Sequence, residues 1–152
     1  MKNKILIVTA VYFAVLLAVP CYTIFNYYDV LKNGEVYKIQ VTPYDPYDPF
    51  RGRYLAIRPE LSALRRPGTY VRLVKDADGF VIDAYPANNA ENPNTVKDFE
   101  LQRYYMNEKT APLVEALTWD ANYIYVAVRV KNARYAVDGL YINGIPAEDY
   151  VR

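Results

Sequence analysis

Histidine is absent from this 152-residue chain, and cysteine and serine occur once each, as Cys21 and Ser62. Without histidine the chain lacks the commonest general base and the commonest metal ligand. A single cysteine excludes an internal disulfide and a multi-thiolate zinc site within the chain. Ser62 lies in "ELSALRR", outside any G-x-S-x-G context. A Ser-Lys dyad of the signal-peptidase kind has its residue types here but no motif, and no glycine-rich phosphate loop is present. Lysine and arginine number 18 against 17 acids, so no excess of positive charge directs the chain to nucleic acid. Neither a metal nor a cofactor is expected. What is present, 53% hydrophobic residues and 15% aromatics, is the composition of a folding chain with room for one soluble domain.

The longest uncharged run is "ILIVTAVYFAVLLAVPCYTIF", Ile5 to Phe25. At 1.5 Å per residue a helix of that length spans about 30 Å, the thickness of a hydrocarbon core. Pro20 falls late enough to kink the last turn without abolishing the helix. Lys2 and Lys4 precede the run and favour a cytoplasmic N-terminus for either a retained anchor or a cleaved signal peptide. Length and the lack of a small-x-small cleavage site favour the anchor, and Pro20 before Cys21 fits a lipobox poorly. The expected organisation is an anchor over residues 1–25, a linker over 26–34 and an extracytoplasmic domain over 35–152.

Beyond the linker the hydrophobic period changes to two. In "EVYKIQVTP", Tyr37, Ile39 and Val41 share one face. "DADG" between "TYVRLVK" and "FVIDAYP" predicts a hairpin over Thr69–Pro86. In "NYIYVAVRVK", Ile124, Val126, Val128 and Val130 alternate with Tyr123, Tyr125, Arg129 and Lys131; a further strand, "RYAVDGLYI", follows and ends at Asn143-Gly144. "ANNAENPNTVKD" reads as an exposed loop, and "EKTAPLVEALTW" as the one short helix of the soluble part. The fold class is therefore mainly β: an N-terminal transmembrane helix followed by six to eight mostly antiparallel strands in a small barrel or sandwich, with one short helix.

Three groups of side chains are candidates for chemistry. Seven basic residues lie between Arg51 and Lys75 against one acid, Glu60, and six acids lie between Asp76 and Glu100 against Lys97. Such runs either pair across a sheet and solvate its face, or hold anions through guanidinium forks, including anionic lipid headgroups. Asp45 and Asp48 each precede proline, a pattern that forms stiff turns and that can also present paired carboxylates. Arg103, Tyr104, Tyr105 and Glu108 form a polar-aromatic cluster in "LQRYYMNE".

The stretch "DPYDPFRGRYLAIRPEL" resembles the signature of the GDYXXLXY family, D-P-x-D-x-F-R-G-D-Y-x-x-L-x-Y. Asp45, Pro46, Asp48, Phe50, Arg51, Gly52 and Tyr54 match it as they stand. "RYYMNEKTAPLVEAL", "YVAVRV" and "DGLYINGIP" resemble the family's second half, so the likeness covers Glu35 to Pro146. Three positions depart: Arg53 replaces the signature aspartate, Ile57 its leucine and Pro59 its final tyrosine. A basic residue at position 53 removes any catalytic acid or metal ligand from that place. The resemblance implies a membrane-anchored accessory protein beside a multi-spanning membrane partner. The expected binding residues are Asp45, Asp48, Arg51, Arg53, Tyr54, Arg58, Arg103, Tyr105 and Glu108. The alternatives are an envelope hydrolase built on Asp45, Asp48 or Glu108, and a module that binds glycans or anionic lipid.

Overall fold

The computed structural model describes residues 2–43, 54–65, 70–107, 114 and 123–151. Among the described residues, α1 (Lys2–Asn33) precedes nine strands: β1 (Glu35–Pro43), β2 (Tyr54–Pro59), β3 (Tyr70–Lys75), β4 (Val81–Ala87), β5 (Thr95–Lys97), β6 (Arg103–Tyr105), β7 (Ile124–Lys131), β8 (Arg134–Ile142) and β9 (Ile145–Pro146). The strands form a curled antiparallel half-barrel in the order β6-β2-β1-β7-β8-β9, and a smaller sheet in the order β4-β3-β5. The expected short helix falls outside the described residues except for Val114, which is helical and buried.

α1 is long and apolar enough to cross a membrane over Ile7–Asn33. Its large side chains from Ile7 to Phe25 are exposed all round, as a helix with no soluble face to bury would be. The helix does not stop where the apolar run stops. It continues through Pro20 and through the segment expected to be a linker, because its last turns find partners on the sheet. Val30 is buried, Lys131 Nζ donates to both carboxylate oxygens of Asp29 at 2.8 Å, and the Tyr27 hydroxyl donates to the Val137 carbonyl at 3.4 Å. Gly34 then turns the chain directly into β1, its N–H bonded to the Val30 carbonyl at 2.8 Å.

One core serves both sheets. Tyr37, Ile39, Ile57, Leu73, Val96, Val126, Val128, Leu140 and Ile142 are each at most 2% exposed and belong to one cluster. Burying each large aliphatic side chain contributes about 1.5–3 kcal/mol. The period-two expectation holds on β1 and β7, whose predicted inward residues are all buried. On β8 the phase changes midway. Val128 faces Val137 but Ala127 faces Gly139, so Asp138 is the extra residue of a bulge and its carboxylate meets Arg129 at 3.0 Å. Tyr135 and Val137 pack on the core before the bulge, and Leu140 and Ile142 after it.

The segment expected to be a plain loop contains β5. Thr95 and Val96 are fully buried there against β3, in a strand too short for alternation to mark it. The hairpin around "DADG" forms as expected, with Gly79 at φ 86° and the Asp76 carboxylate accepting the Phe80 N–H at 2.7 Å.

Two substitutions probe this architecture. A β-carbon at Gly34 would sit 2.4 Å from the Val30 carbonyl oxygen and 3.1 Å from the Val130 nitrogen, so Gly34→Ala forces the helix away from β7. It should destabilise the domain by about 1–3 kcal/mol in urea unfolding; an unchanged midpoint would mean that the contact is not needed. The Thr95 hydroxyl is buried and has no hydrogen-bond partner. Thr95→Val removes that orphan group at nearly constant shape and should stabilise the domain by about 1 kcal/mol. A lower melting temperature for this variant would contradict the assignment.

Candidate functional site

The two sheets separate along β1, and a group of polar contacts bridges that seam. The Lys38 N–H donates to the Gly79 carbonyl at 2.8 Å, which brings the β3–β4 hairpin against the large sheet. The Lys38 ammonium donates to the Asp78 carbonyl at 2.9 Å and lies 4.8 Å from the centre of the Phe80 ring, a cation–π distance. On the other side of the strand, Lys75 Nζ meets Glu35 at 2.8 Å and the Val36 carbonyl at 3.2 Å, and sits over the Tyr37 ring. The Tyr37 hydroxyl donates to Glu35 at 2.8 Å. The Lys75 ammonium first, and this hydroxyl second, hold the Glu35 carboxyl below its ordinary range. Burial, and then the hydrogen bond to Glu35, push the Tyr37 hydroxyl up, so it remains a donor.

Beside the seam, Phe80, Tyr123, Tyr125 and Tyr141 form an aromatic ladder. Phe80 meets Tyr123 and Tyr125 edge-on at 5.3 and 5.2 Å, and Tyr125 stacks on Tyr141 at 5.0 Å with the ring planes 1° apart. Tyr141 also covers Gly139, where a β-carbon would stand 3.2 Å from its ring. Rings packed this closely against each other are sheet packing, and leave Tyr125 no open face on which a sugar can stack. At the end of the ladder a cleft of about 490 Å³ opens between the sheets, lined by Gln40, Glu60, Asp76, Asp78, Phe80 and Tyr123 among others. Its carboxylates suit a cationic or hydroxyl-bearing group. Among the described residues no group of three or more His, Cys, Asp or Glu is placed to hold a metal ion.

The residues singled out from the sequence divide in two. Asp45, Asp48, Arg51, Arg53 and Glu108 lie outside the described residues. The others converge on one sheet edge. Tyr54 is opposite Tyr105 and Ala56 opposite Arg103 in the β2–β6 register, and Arg58 is opposite Thr42 on β1. Leu55, Ile57 and Pro59 are buried in between, whereas Arg58, Arg103 and Tyr105 are exposed on the outer face. None of these three lines the seam cleft. Sequence reasoning did not find that cleft, whose walls come from four separate segments with no shared motif.

A family model described as "GDYXXLXY protein" matches residues 16–140. The chain belongs to the GDYXXLXY family. No curated protein and no solved structure matches it. The matched span begins inside α1 and ends in β8, so the helix–sheet joint at Asp29, Gly34 and Lys131 lies within the GDYXXLXY unit. Two of the three departures from the signature fall where the structure explains what is required. Ile57 is fully buried and Pro59 is buried on the same inward face of β2. In this GDYXXLXY protein that part of the signature is a strand supplying core, and an apolar residue of suitable size satisfies it.

The seam makes a pH prediction. Because the folded-state Glu35 pKa is depressed, its stabilisation is present above the unfolded value near 4.5 and is lost as pH falls through the folded one. The Glu35 side chain is 52% exposed, so solvent screening limits the effect to no more than about 1 kcal/mol. The stability gap between wild type and Glu35→Gln should be largest near neutral pH and close on acidification. A gap that stays constant from neutral to acid would show that the Lys75–Glu35 contact contributes nothing electrostatic.

Proposed function

We propose that this protein is a single-pass membrane protein with a cytoplasmic N-terminus, whose β-domain lies outside the cytoplasm and acts by binding a multi-spanning membrane protein. The observation that carries this reading is the joint between α1 and the sheet. The apolar helix runs without a linker into a helix end held by Val30, Asp29–Lys131 and Gly34, so the domain has one orientation relative to the helix axis. A domain on a flexible tether samples many orientations, whereas this one presents fixed faces to whatever stands beside it in the bilayer. Lys2 and Lys4 support the cytoplasmic N-terminus. The face carrying Arg58, Arg103 and Tyr105 has the arginine and tyrosine content favoured at protein interfaces. The exposed apolar side chains of α1 offer a second contact surface within the membrane.

A photo-crosslinking residue placed at Tyr105, and separately at Tyr12 in α1, tests this in intact cells. A discrete adduct with one integral membrane protein from both sites is expected, with no adduct from a probe at Tyr85 on the small sheet. A chain that remains monomeric and uncrosslinked from either site would refute the reading.

A further inference from the structure

A second cavity, of about 470 Å³, lies where α1 meets the sheet, and Tyr22, Asn26, Tyr27, Lys97, Arg134 and Tyr135 stand around it. Its depth is fixed by the sequence. The uncharged run ends at Phe25, so residues 22–27 bracket the level at which hydrocarbon gives way to headgroups. Two cations come down to that level from the domain. Arg134, the first residue of β8, lies against the Tyr22 hydroxyl, and Lys97 ends β5 with its side chain 54% exposed. The acid on this wall, Asp98, stands 3.9 Å from Lys97, a loose pair, so the groove keeps a net positive charge. The neighbouring Lys131 is already engaged by Asp29 at 2.8 Å.

The backbone that holds the two cations is unusual. Asp98, Asn132 and Ala133 have φ values of 49°, 51° and 59°, left-handed conformations that non-glycine residues adopt at a cost. The Lys97 N–H donates to the Ala133 carbonyl at 2.9 Å, which ties the end of β5 to the β7–β8 turn and sets Lys97 beside Arg134. Val30 lines the cavity, and the exposed apolar surface of α1 on the same face, including Val15 and Val19, continues from it toward the N-terminus.

We propose that this groove holds one acidic phospholipid. Lys97 and Arg134 take its phosphodiester, the Tyr22 hydroxyl and the Asn26 amide stand around the glycerol region, and an acyl chain lies along α1. Charge, depth and the continuous apolar wall meet in one place, and a soluble anion would use only the first of them. The inference rests on the reading that α1 crosses the bilayer.

The test uses the full chain in vesicles of equimolar phosphatidylglycerol and phosphatidylcholine, with lipid retained after mild detergent extraction counted by mass spectrometry. Wild type should retain phosphatidylglycerol about fivefold above its bulk ratio, the factor that one net basic residue supplies at an anionic surface. K97Q/R134Q should fall to the bulk ratio, while K32Q, which removes a cation from α1 outside the groove, should keep the enrichment. Equal loss in K32Q would mark diffuse surface attraction and overturn the groove. Enrichment abolished by excess sn-glycerol 1-phosphate would mark a site for soluble phosphoesters and overturn the lipid assignment. Should K97Q/R134Q misfold, acetic anhydride labelling of wild type decides: phosphatidylglycerol vesicles should protect Lys97 relative to Lys32 and phosphatidylcholine vesicles should not, and the same Lys97 labelling in both refutes the proposal. A chain that does not enter vesicles refutes both this inference and the membrane-spanning reading, whereas insertion without enrichment refutes the groove alone.

Discussion

The close approach of Gly34 to β7 is the contact on which the remaining geometry depends. With no β-carbon, position 34 lets the end of α1 come within van der Waals distance of the Arg129 side chain and the Val130 backbone. That approach in turn places Asp29 over Lys131 and lets Val30 be buried. The ion pair is one-third exposed on both sides, so solvent screening keeps its energetic contribution small. Its value is positional, since two short bonds from one ammonium fix the rotation of the helix about its axis. A bulkier residue at position 34 would leave each element able to form but would release their mutual orientation.

The same economy governs the way the two sheets share a core. The small sheet is a single layer of three strands and needs a second layer against which to bury its apolar face. Lys38 and Lys75 hold it to β1 through backbone carbonyls, aromatic faces and one carboxylate, so long flexible side chains close a gap that backbone pairing leaves open. The bulge at Asp138 is the second adjustment. By inserting one residue it keeps Tyr135 and Val137 inward on one side and Leu140 and Ile142 inward on the other, and the added twist curls β7 and β8 into the half-barrel.

Much of this was legible in the sequence because the signals were local and periodic. The apolar run, the alternation in β1 and β7, the "DADG" hairpin and the Asn143-Gly144 turn each follow from a few adjacent residues. What was not legible depends on distance. β5 is invisible because "TVK" has no period, and it exists only because β3 offers an edge and the core accepts Val96. The helical continuation through residues 26–33 is set by partners about a hundred positions away, at Lys131 and Val137. The turn at Asn132-Ala133 has no glycine to announce it. The candidate residues fared likewise: Arg58 stood out in the basic run and Arg103 and Tyr105 in a separate polar-aromatic cluster, and only the strand register placed them on one edge. The seam cleft and the junction groove draw on residues from opposite ends of the chain, which no single-sequence pattern joins.

These surfaces also stand in an order that the joint imposes. The junction groove is at the level where the apolar run ends, because its walls include Tyr22 to Val30 of α1 itself. The seam cleft is built from β1, the β3–β4 hairpin and Tyr123, none of which touches α1 through a described hydrogen bond or ion pair. A helix locked to β7 and β8 therefore holds the groove beside the end of the apolar run and the cleft away from it. That separation gives the family signature a consistent role. Its strand, β2, supplies Leu55, Ile57 and Pro59 to the core and sets the outer edge where Arg58 and β6 stand, so it supports a surface without lining either cavity.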